Sequence, residues 1–191
     1  APTYAGTYEV KVSVPGNSYF TAASTTKTYT IKPRGVEISG ITANKKVYDG
    51  TKDAELDYSK VVFARLIEGD TLTVSAEGTF ADSNAAKGKT VTITNLVLGG
   101  KSASNYVLTA DGQQAGTIAD INPKRITVTA DNLKKIVGGA DPVLTYTASG
   151  LVGEDTLSGI VVKRKAGEKV GTYAIKVSQK KGSNPNYRIT F

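Results

Sequence analysis

Two acidic pairs stand in matching surroundings: Glu68 and Asp70 in Leu66-Ile67-Glu68-Gly69-Asp70-Thr71-Leu72, and Glu154 and Asp155 in Leu151-Val152-Gly153-Glu154-Asp155-Thr156-Leu157. Paired carboxylates can hydrolyse glycosides, provided that one acid and one base or nucleophile face each other across a cleft. Here the pairs occupy equivalent turns of two repeated segments, and no second, suitably spaced acid is evident. Such recurrence marks a scaffold turn rather than two active sites. Asp49, Asp53 and Asp57 are acidic enough to suggest calcium, but their spacing matches no compact oxygen-ligand loop. Lys46 and Asn105 have the side chains of a Lys–Asn isopeptide bond, and the sequence does not say whether they meet.

Missing residue types narrow the chemistry further. The chain has no His, Cys, Met or Trp. Zinc, copper, haem and iron–sulfur ligand sets therefore cannot be assembled in the usual way. A Ser-His-Asp triad and a Cys nucleophile are excluded for the same reason. No cofactor, metal or catalytic residue is expected, and the chain reads as a protein other than an enzyme.

Ligand binding remains open on tyrosines. The signature Tyr48-Asp49-Gly50-Thr51 invites a ligand reading, and Tyr19 and Tyr187 stand at strand starts near loops. Tyr48, Asp49, Tyr19 and Tyr187 are thus the candidate ligand-binding positions. Beside this stands a structural reading of the signature: Gly50 supplies a positive φ, Asp49 hydrogen-bonds local backbone, and Tyr48 packs. Most other tyrosines (Tyr8, Tyr29, Tyr173) fall in phase with the apolar strand face and are expected in cores. The net charge of +7 comes from Lys residues spread along the whole length. Without an aromatic stacking face it describes a solvated surface, and nucleic acid is not an expected partner.

The elements that must carry these residues are strands. Tyr8, Val10, Val12 and Val14 alternate with Glu9, Lys11 and Ser13, and Ile126/Val128 and Tyr173/Ile175/Val177 do likewise. Between Ile93 and Leu96 the apolar parity flips, which predicts a bulge near Asn95. Asp49-Gly50, Gly99-Gly100 and Asp111-Gly112 separate strands as turns. Short helices are expected only at Tyr58 to Leu66 and Val152 to Leu157. No apolar run approaches the roughly 20 residues that span a bilayer.

The strands repeat. Gly6-Thr7-Tyr8-Glu9-Val10-Lys11-Val12-Ser13 returns as Gly171-Thr172-Tyr173-Ala174-Ile175-Lys176-Val177-Ser178, and more weakly as Gly88-Lys89-Thr90-Val91-Thr92-Ile93-Thr94. A tyrosine strand follows each copy, at Tyr19, Tyr106 and Tyr187. Two copies then close with a Pro-ended strand, at Thr28 to Pro33 and Ile118 to Pro123. In the front halves, Lys45-Lys46-Val47-Tyr48-Asp49-Gly50 matches Lys134-Lys135-Ile136-Val137-Gly138-Gly139. The organisation read from this is 1–33, the end of one repeat; 34–124, a complete module; and 125–191, a module lacking its closing strand. Tandem Ig-like β-sandwiches are the expected fold, with β-grasp-like modules carrying one short helix near Tyr58 as the alternative.

Ile41 to Leu56, with Val47-Tyr48-Asp49-Gly50-Thr51 inside it, resembles the YDG domain of bacterial adhesins. Gly78-Thr79-Phe80-Ala81-Asp82, Gly88-Lys89-Thr90-Val91 and Ser104-Asn105-Tyr106 fit the same pattern. The segment from Ile126-Thr127-Val128-Thr129-Ala130 through Asp141-Pro142, Gly150-Leu151, Gly171-Thr172-Tyr173 and Asn186-Tyr187 resembles the MBG domain. It departs from that pattern at Val137-Gly138, where Tyr-Gly is usual. Residues 1–33 look like the end of an Ig-like or MBG-like repeat. The resemblance implies tandem repeats of a secreted bacterial cell-surface protein. It gives neither a defined ligand nor catalytic residues. Two functions follow as expectations: a stalk or spacer whose partners are neighbouring repeats, or a direct adhesion module binding host glycan or protein through loops. Open edges at residues 1–33 and at Ile189 to Phe191 are further expected to pair between molecules.

Overall fold

Alternation decides how each large module begins. In Arg34–Ser39 the β-branched side chains of Val36 and Ile38 are buried while their neighbours reach outward, and in Lys124–Ala130 Ile126 and Val128 do the same. Such side chains suit a pleated surface with one covered face. A computed structural model describes residues 2–191, and it is all-β.

The strands are β1 (Gly6–Val14), β2 (Ala23–Ile31), β3 (Arg34–Ser39), β4 (Thr42–Ala43), β5 (Lys46–Val47), β6 (Asp53–Ala54), β7 (Leu56–Asp57), β8 (Val62–Ala64) and β9 (Thr73–Phe80). They continue as β10 (Ala86–Gly99), β11 (Tyr106–Leu108), β12 (Gly116–Asn122), β13 (Lys124–Ala130), β14 (Tyr146–Ser149), β15 (Ile160–Arg164), β16 (Ile175–Gln179) and β17 (Tyr187–Thr190). Two three-residue 3-10 turns, Ala103–Asn105 and Ala110–Gly112, are the nearest approach to a helix among the described residues.

The same three-stranded motif appears twice. β3 lies between β8, antiparallel with Ile38 opposite Phe63, and β11, parallel with Tyr106 opposite Arg34. β13 lies between β14, antiparallel with Val128 opposite Ala148, and β17, parallel with Tyr187 opposite Lys124. A five-stranded sheet runs in the order β5-β12-β10-β9-β6, and β15-β16, β4-β7 and β1-β2 are two-stranded.

The chain packs as two compact units. One holds the chain up to Ala43 with Glu55–Gly78 and Thr92–Thr117. Its core is Ile38, Ile41 and Ile93, covered by Leu56, Tyr58, Val61, Phe63, Val74 and Leu108 among others. The other holds Asn44–Ala54, Thr79–Val91 and Ile118–Phe191, and buries Tyr48, Phe80, Val91, Ile121, Ile126, Val128 and Tyr187. In β10, Val91 and Ile93 are buried, Asn95 takes a φ of 54°, and the inward parity then passes to Leu96 and Leu98. A left-handed residue shifts the pleat by one position there, as a bulge does.

Three expectations are corrected. No helix forms at Tyr58 to Leu66: Asp57 Oδ1 accepts the Ser59 N–H, and Val61 N–H closes a turn on Tyr58 O. The Tyr58 hydroxyl is held by the Ala76 backbone while Val62–Ala64 joins β3, which overturns the helix that the β-grasp-like alternative required. Val152 to Leu157 is likewise a turn, with Asp155 N–H donating to Val152 O and Gly153 at a φ of 51°. The β1–β2 hairpin does not enclose its apolar face: Val10, Val12 and Val14 are 48%, 58% and 62% exposed. Tyr8 and Tyr29 pack on each other, ring centroids 5.6 Å apart, yet Tyr29 stays 38% exposed. A hairpin alone has no second layer to bury that face.

Candidate functional site

The signature turn is built by its own charges. β5 pairs with β12 in parallel, Lys46 opposite Ile121, and Tyr48 N–H donates to Asn122 O at 2.8 Å. The chain then reverses through Gly50 at a φ of 82°, the left-handed region that glycine enters without a Cβ clash. Asp49 Oδ1 accepts the Thr51 N–H at 2.9 Å, and Lys46 Nζ donates to Asp49 Oδ1 at 2.9 Å and to Thr51 O at 2.9 Å. Burial works to raise the Asp49 carboxyl, but the Lys46 ammonium and the Thr51 donors outweigh it and hold the group below its ordinary value. Asp49 is therefore occupied with its own turn, as the structural reading of the signature expects.

Tyr48 turns the other way and is 6% exposed. Its hydroxyl donates to Asp155 Oδ2 at 2.8 Å, and the Tyr187 hydroxyl donates to the same oxygen at 2.5 Å. The two rings meet edge to face, centroids 5.5 Å apart at 83°. Val152 N–H completes the cluster by donating to the Tyr187 hydroxyl oxygen at 3.0 Å. The hydrogen bond to Asp155, then burial, raises the Tyr48 phenol above its usual value. Burial first and Asp155 second push Tyr187 up to about 12. Both phenols are thus held neutral, as donors to one carboxylate. Beside them Asn186 Oδ1 accepts the Ala85 N–H at 2.8 Å and Asn186 Nδ2 donates to Asn84 Oδ1 at 3.1 Å.

An echo of this cluster sits in the preceding module. The Tyr106 hydroxyl donates to Asp70 Oδ2 at 2.5 Å, accepts the Ile67 N–H at 3.0 Å, and Ser102 Oγ donates to Asp70 Oδ1 at 3.0 Å. Asn105 Oδ1 receives the Ala5 N–H at 2.9 Å, as Asn186 receives Ala85. Burial and then Asp70 raise the Tyr106 phenol.

The four candidate positions are thereby separated. Tyr48 and Tyr187 are brought together, Asp49 is spent locally, and Tyr19 is 86% exposed on a turn where Asn17 Oδ1 accepts the Tyr19 and Phe20 N–H groups. Of the acidic pairs, Asp70 and Asp155 face phenols while Glu68 and Glu154 are exposed. Lys46 and Asn105 each have partners of their own, Asp49 with Thr51 and Ala5 respectively. No group of three or more acidic side chains among the described residues is placed to hold a metal ion. Sequence reasoning missed the roles of Asp155 and Asn186. The signal was present in the recurrence of an aspartate turn followed by an Asn-Tyr pair.

A second polar cluster ties together a loop-rich part of the same unit. Asp141 accepts Lys135 Nζ and Arg164 Nε, both at 2.8 Å, and Glu168 accepts Lys135 at 2.7 Å and Arg164 Nη2 at 2.6 Å. Arg164 and then Lys135 hold the Asp141 carboxyl down at about 2. The Arg164 guanidinium also lies 5.8 Å from the Tyr173 ring centroid.

Comparison with known families fits this division of labour. The YDG domain family matches residues 32–117, and the MBG domain of the YGX type matches residues 126–191. The chain carries a YDG domain followed by an MBG domain. Domains of both kinds are found in adhesin-like repeats of bacterial surface proteins. No curated protein and no solved structure matches the chain. The tyrosine of the YDG signature therefore spends its hydroxyl on Asp155 of the MBG match, beside the MBG tyrosine Tyr187. At Val137-Gly138, where the MBG pattern usually places Tyr-Gly, Gly138 keeps a φ of 77° and Val137 is 61% exposed.

Proposed function

We propose that this segment is a non-catalytic stalk of a secreted bacterial surface adhesin, in which YDG and MBG modules serve as spacers coupled by side-chain clasps. One observation carries the reading: the signature tyrosine of one module donates its hydroxyl to the carboxylate of the next and stacks on that module's tyrosine. A residue committed to the neighbouring repeat is suited to transmitting load and unsuited to meeting a soluble ligand. The short junction Asn122-Pro123-Lys124 supports the same view. Proline restricts the backbone, and Lys124 N–H is already bonded to Asn186 O at 2.9 Å. On this reading each module is an Ig-like sandwich and the chain works outside the cell.

Small-angle scattering of the whole chain tests it. A single compact domain of this length has a radius of gyration of about 16 Å, and a stalk must give a value well above that, with Tyr48→Phe broadening the distribution of shapes. A compact globule would overturn the spacer role.

The direct adhesion reading has one observation in its favour, the exposed aromatic pair Tyr19 and Phe20, at 86% and 74% exposure. An array of host glycans and matrix proteins separates the two. Binding that disappears in a folded Tyr19→Ser, Phe20→Ser chain would promote adhesion over spacing.

A further inference from the structure

Lysines are dispersed along the sequence, but strand pairing gathers four of them on one face of the MBG domain. β15 and β16 run antiparallel, with Lys163 opposite Lys176 and Val161 opposite Ser178. The ladder continues past the strand ends, because Lys165 N–H donates to Ala174 O at 2.8 Å and Lys180 N–H donates to Gly159 O at 2.9 Å. Successive side chains alternate between the two faces of a sheet. Lys163, Lys165, Lys176 and Lys180 therefore share one face and are all exposed, with Val161, Ala174 and Ser178 between them. Ile160, Val162, Ile175 and Val177 occupy the other, half-buried face. Arg164 belongs to that second face, where it and Lys135 engage Asp141 and Glu168. Among the described residues none of the four lysines has an ion-pair partner.

Stability does not call for such a face. Like charges directly opposite each other, with Cβ atoms about 5 Å apart, destabilise an antiparallel pair. The repeat does not demand it either: the corresponding strand β10 turns Thr90, Thr92 and Thr94 outward, and β1 carries Glu9 two residues from Lys11. A lysine on an edge strand discourages stray pairing, but an acid across from it would serve that purpose at no cost, and here the residue across is a second lysine. We propose that the outward face of β15 and β16 binds a sulfated polysaccharide, with Lys163, Lys165, Lys176 and Lys180 as its cationic contacts.

The class of ligand follows from the layout. From the row of Lys165 to the row of Lys180 the ladder runs about 20 Å, at about 3.4 Å per residue, so the partner is a chain with several charges rather than a single anion. Ammonium groups are point charges on flexible stems and respond to charge density, whereas guanidinium forks read phosphate and carboxylate groups pairwise. This face carries no arginine. Lysine-rich patches suit nucleic acid or heparin, and the absence of an aromatic side chain from the face removes the platform on which bases would stack. The proposal stands apart from the spacer role, since a spacer can carry this face as well as a module of any other kind.

Heparin is the probe, used with the full chain. The parent should be retained on immobilised heparin at physiological ionic strength, with affinity falling steeply as salt rises, because released counterions drive polyanion binding. Lys163→Glu should weaken binding by roughly tenfold, one contact being lost and one repulsion gained, and should lower the log–log salt slope by about 1. It also sets a carboxylate opposite Lys176, so in urea unfolding the variant should be at least as stable as the parent. Lys165→Gln, whose neighbour across the ladder is Ala174, repeats the test without touching the lysine pair. Lys27→Glu makes the same change in net charge at an exposed position of β2 and should bind heparin as the parent does. Heparin stripped of its sulfates, and single-stranded DNA of equal charge, should compete poorly. Equal losses in Lys163→Glu and Lys27→Glu, DNA competing as well as heparin, or a parent that heparin fails to retain would each overturn the proposal.

Discussion

Replacing Tyr48 with Phe removes one oxygen atom and leaves the ring against Tyr187, so it isolates the hydroxyl's share of the clasp. That hydroxyl lies 2.8 Å from Asp155 Oδ2 in a side chain only 6% exposed. A hydrogen bond to a charged group contributes about 1.5–3 kcal/mol, and no cavity larger than the lost oxygen is created. Tyr48→Phe should therefore lower the stability of the unit containing it by about 1.5–3 kcal/mol. Asp155→Ala should cost more, because it strips the acceptor from two phenols, and each buried donor left unsatisfied costs about 1–3 kcal/mol. Urea unfolding followed by circular dichroism and by tyrosine fluorescence measures both, the chain having no Trp to mask the latter. The double variant completes a cycle, and groups in contact couple by about 0.5–3 kcal/mol. If Tyr48→Phe falls within about 0.5 kcal/mol of the parent, the range of ordinary surface changes, or if the coupling vanishes, the clasp does not hold the signature in place.

Two further outcomes are expected. The protein should lose stability at both pH extremes for identifiable reasons. Tyr187 has a folded pKa raised to about 12, so its contribution is complete below the unfolded value of about 10 and fades as pH rises through 12. Asp141 is depressed to about 2, so its contribution holds above the unfolded value and fades as pH falls through 2. Arg164→Ala should move the acid limb up towards the ordinary carboxylate range, as pH-dependent circular dichroism would show; an unmoved limb would mean that the ion cluster is not coupled to folding. Gly40→Ala drives a Cβ into the Lys60 carbonyl oxygen at a φ of 85°, and a strained residue of this kind costs about 1–3 kcal/mol. A thermal melt of that variant matching the parent would refute the steric argument.

Much of the fold was legible because alternation is a local signal. Ile126 with Val128, or Val36 with Ile38, fixes which face of a strand is inward without any knowledge of what covers it. The parity flip at Asn95 and the turn at Asp49-Gly50 were readable for the same reason, since each depends on residues within a few positions. The misread helix at Tyr58 to Leu66 shows where locality fails: Tyr58 is fixed by Ala76 and Phe63 by Ile38, contacts that outweigh any local preference. The clasp was less legible still. Tyr48 and Asp155 are 107 residues apart, and nothing near either names the other. Tyr19 and Tyr187 occupied equivalent places in the repeat, yet one is exposed and the other buried, because Tyr187 has an aspartate turn to receive it.

Each tyrosine–aspartate pair is also a reusable fitting. Asp70 with Tyr106, and Asp155 with Tyr187, are assembled from residues that belong to one module's own interior, and the pair at Asp155 has room on the same oxygen for a visitor's phenol. A gene that lengthens by copying such a unit would duplicate the socket with it. On the spacer reading proposed above, a newcomer would need only one tyrosine at the right turn to be seated, as Tyr48 is on Asp155.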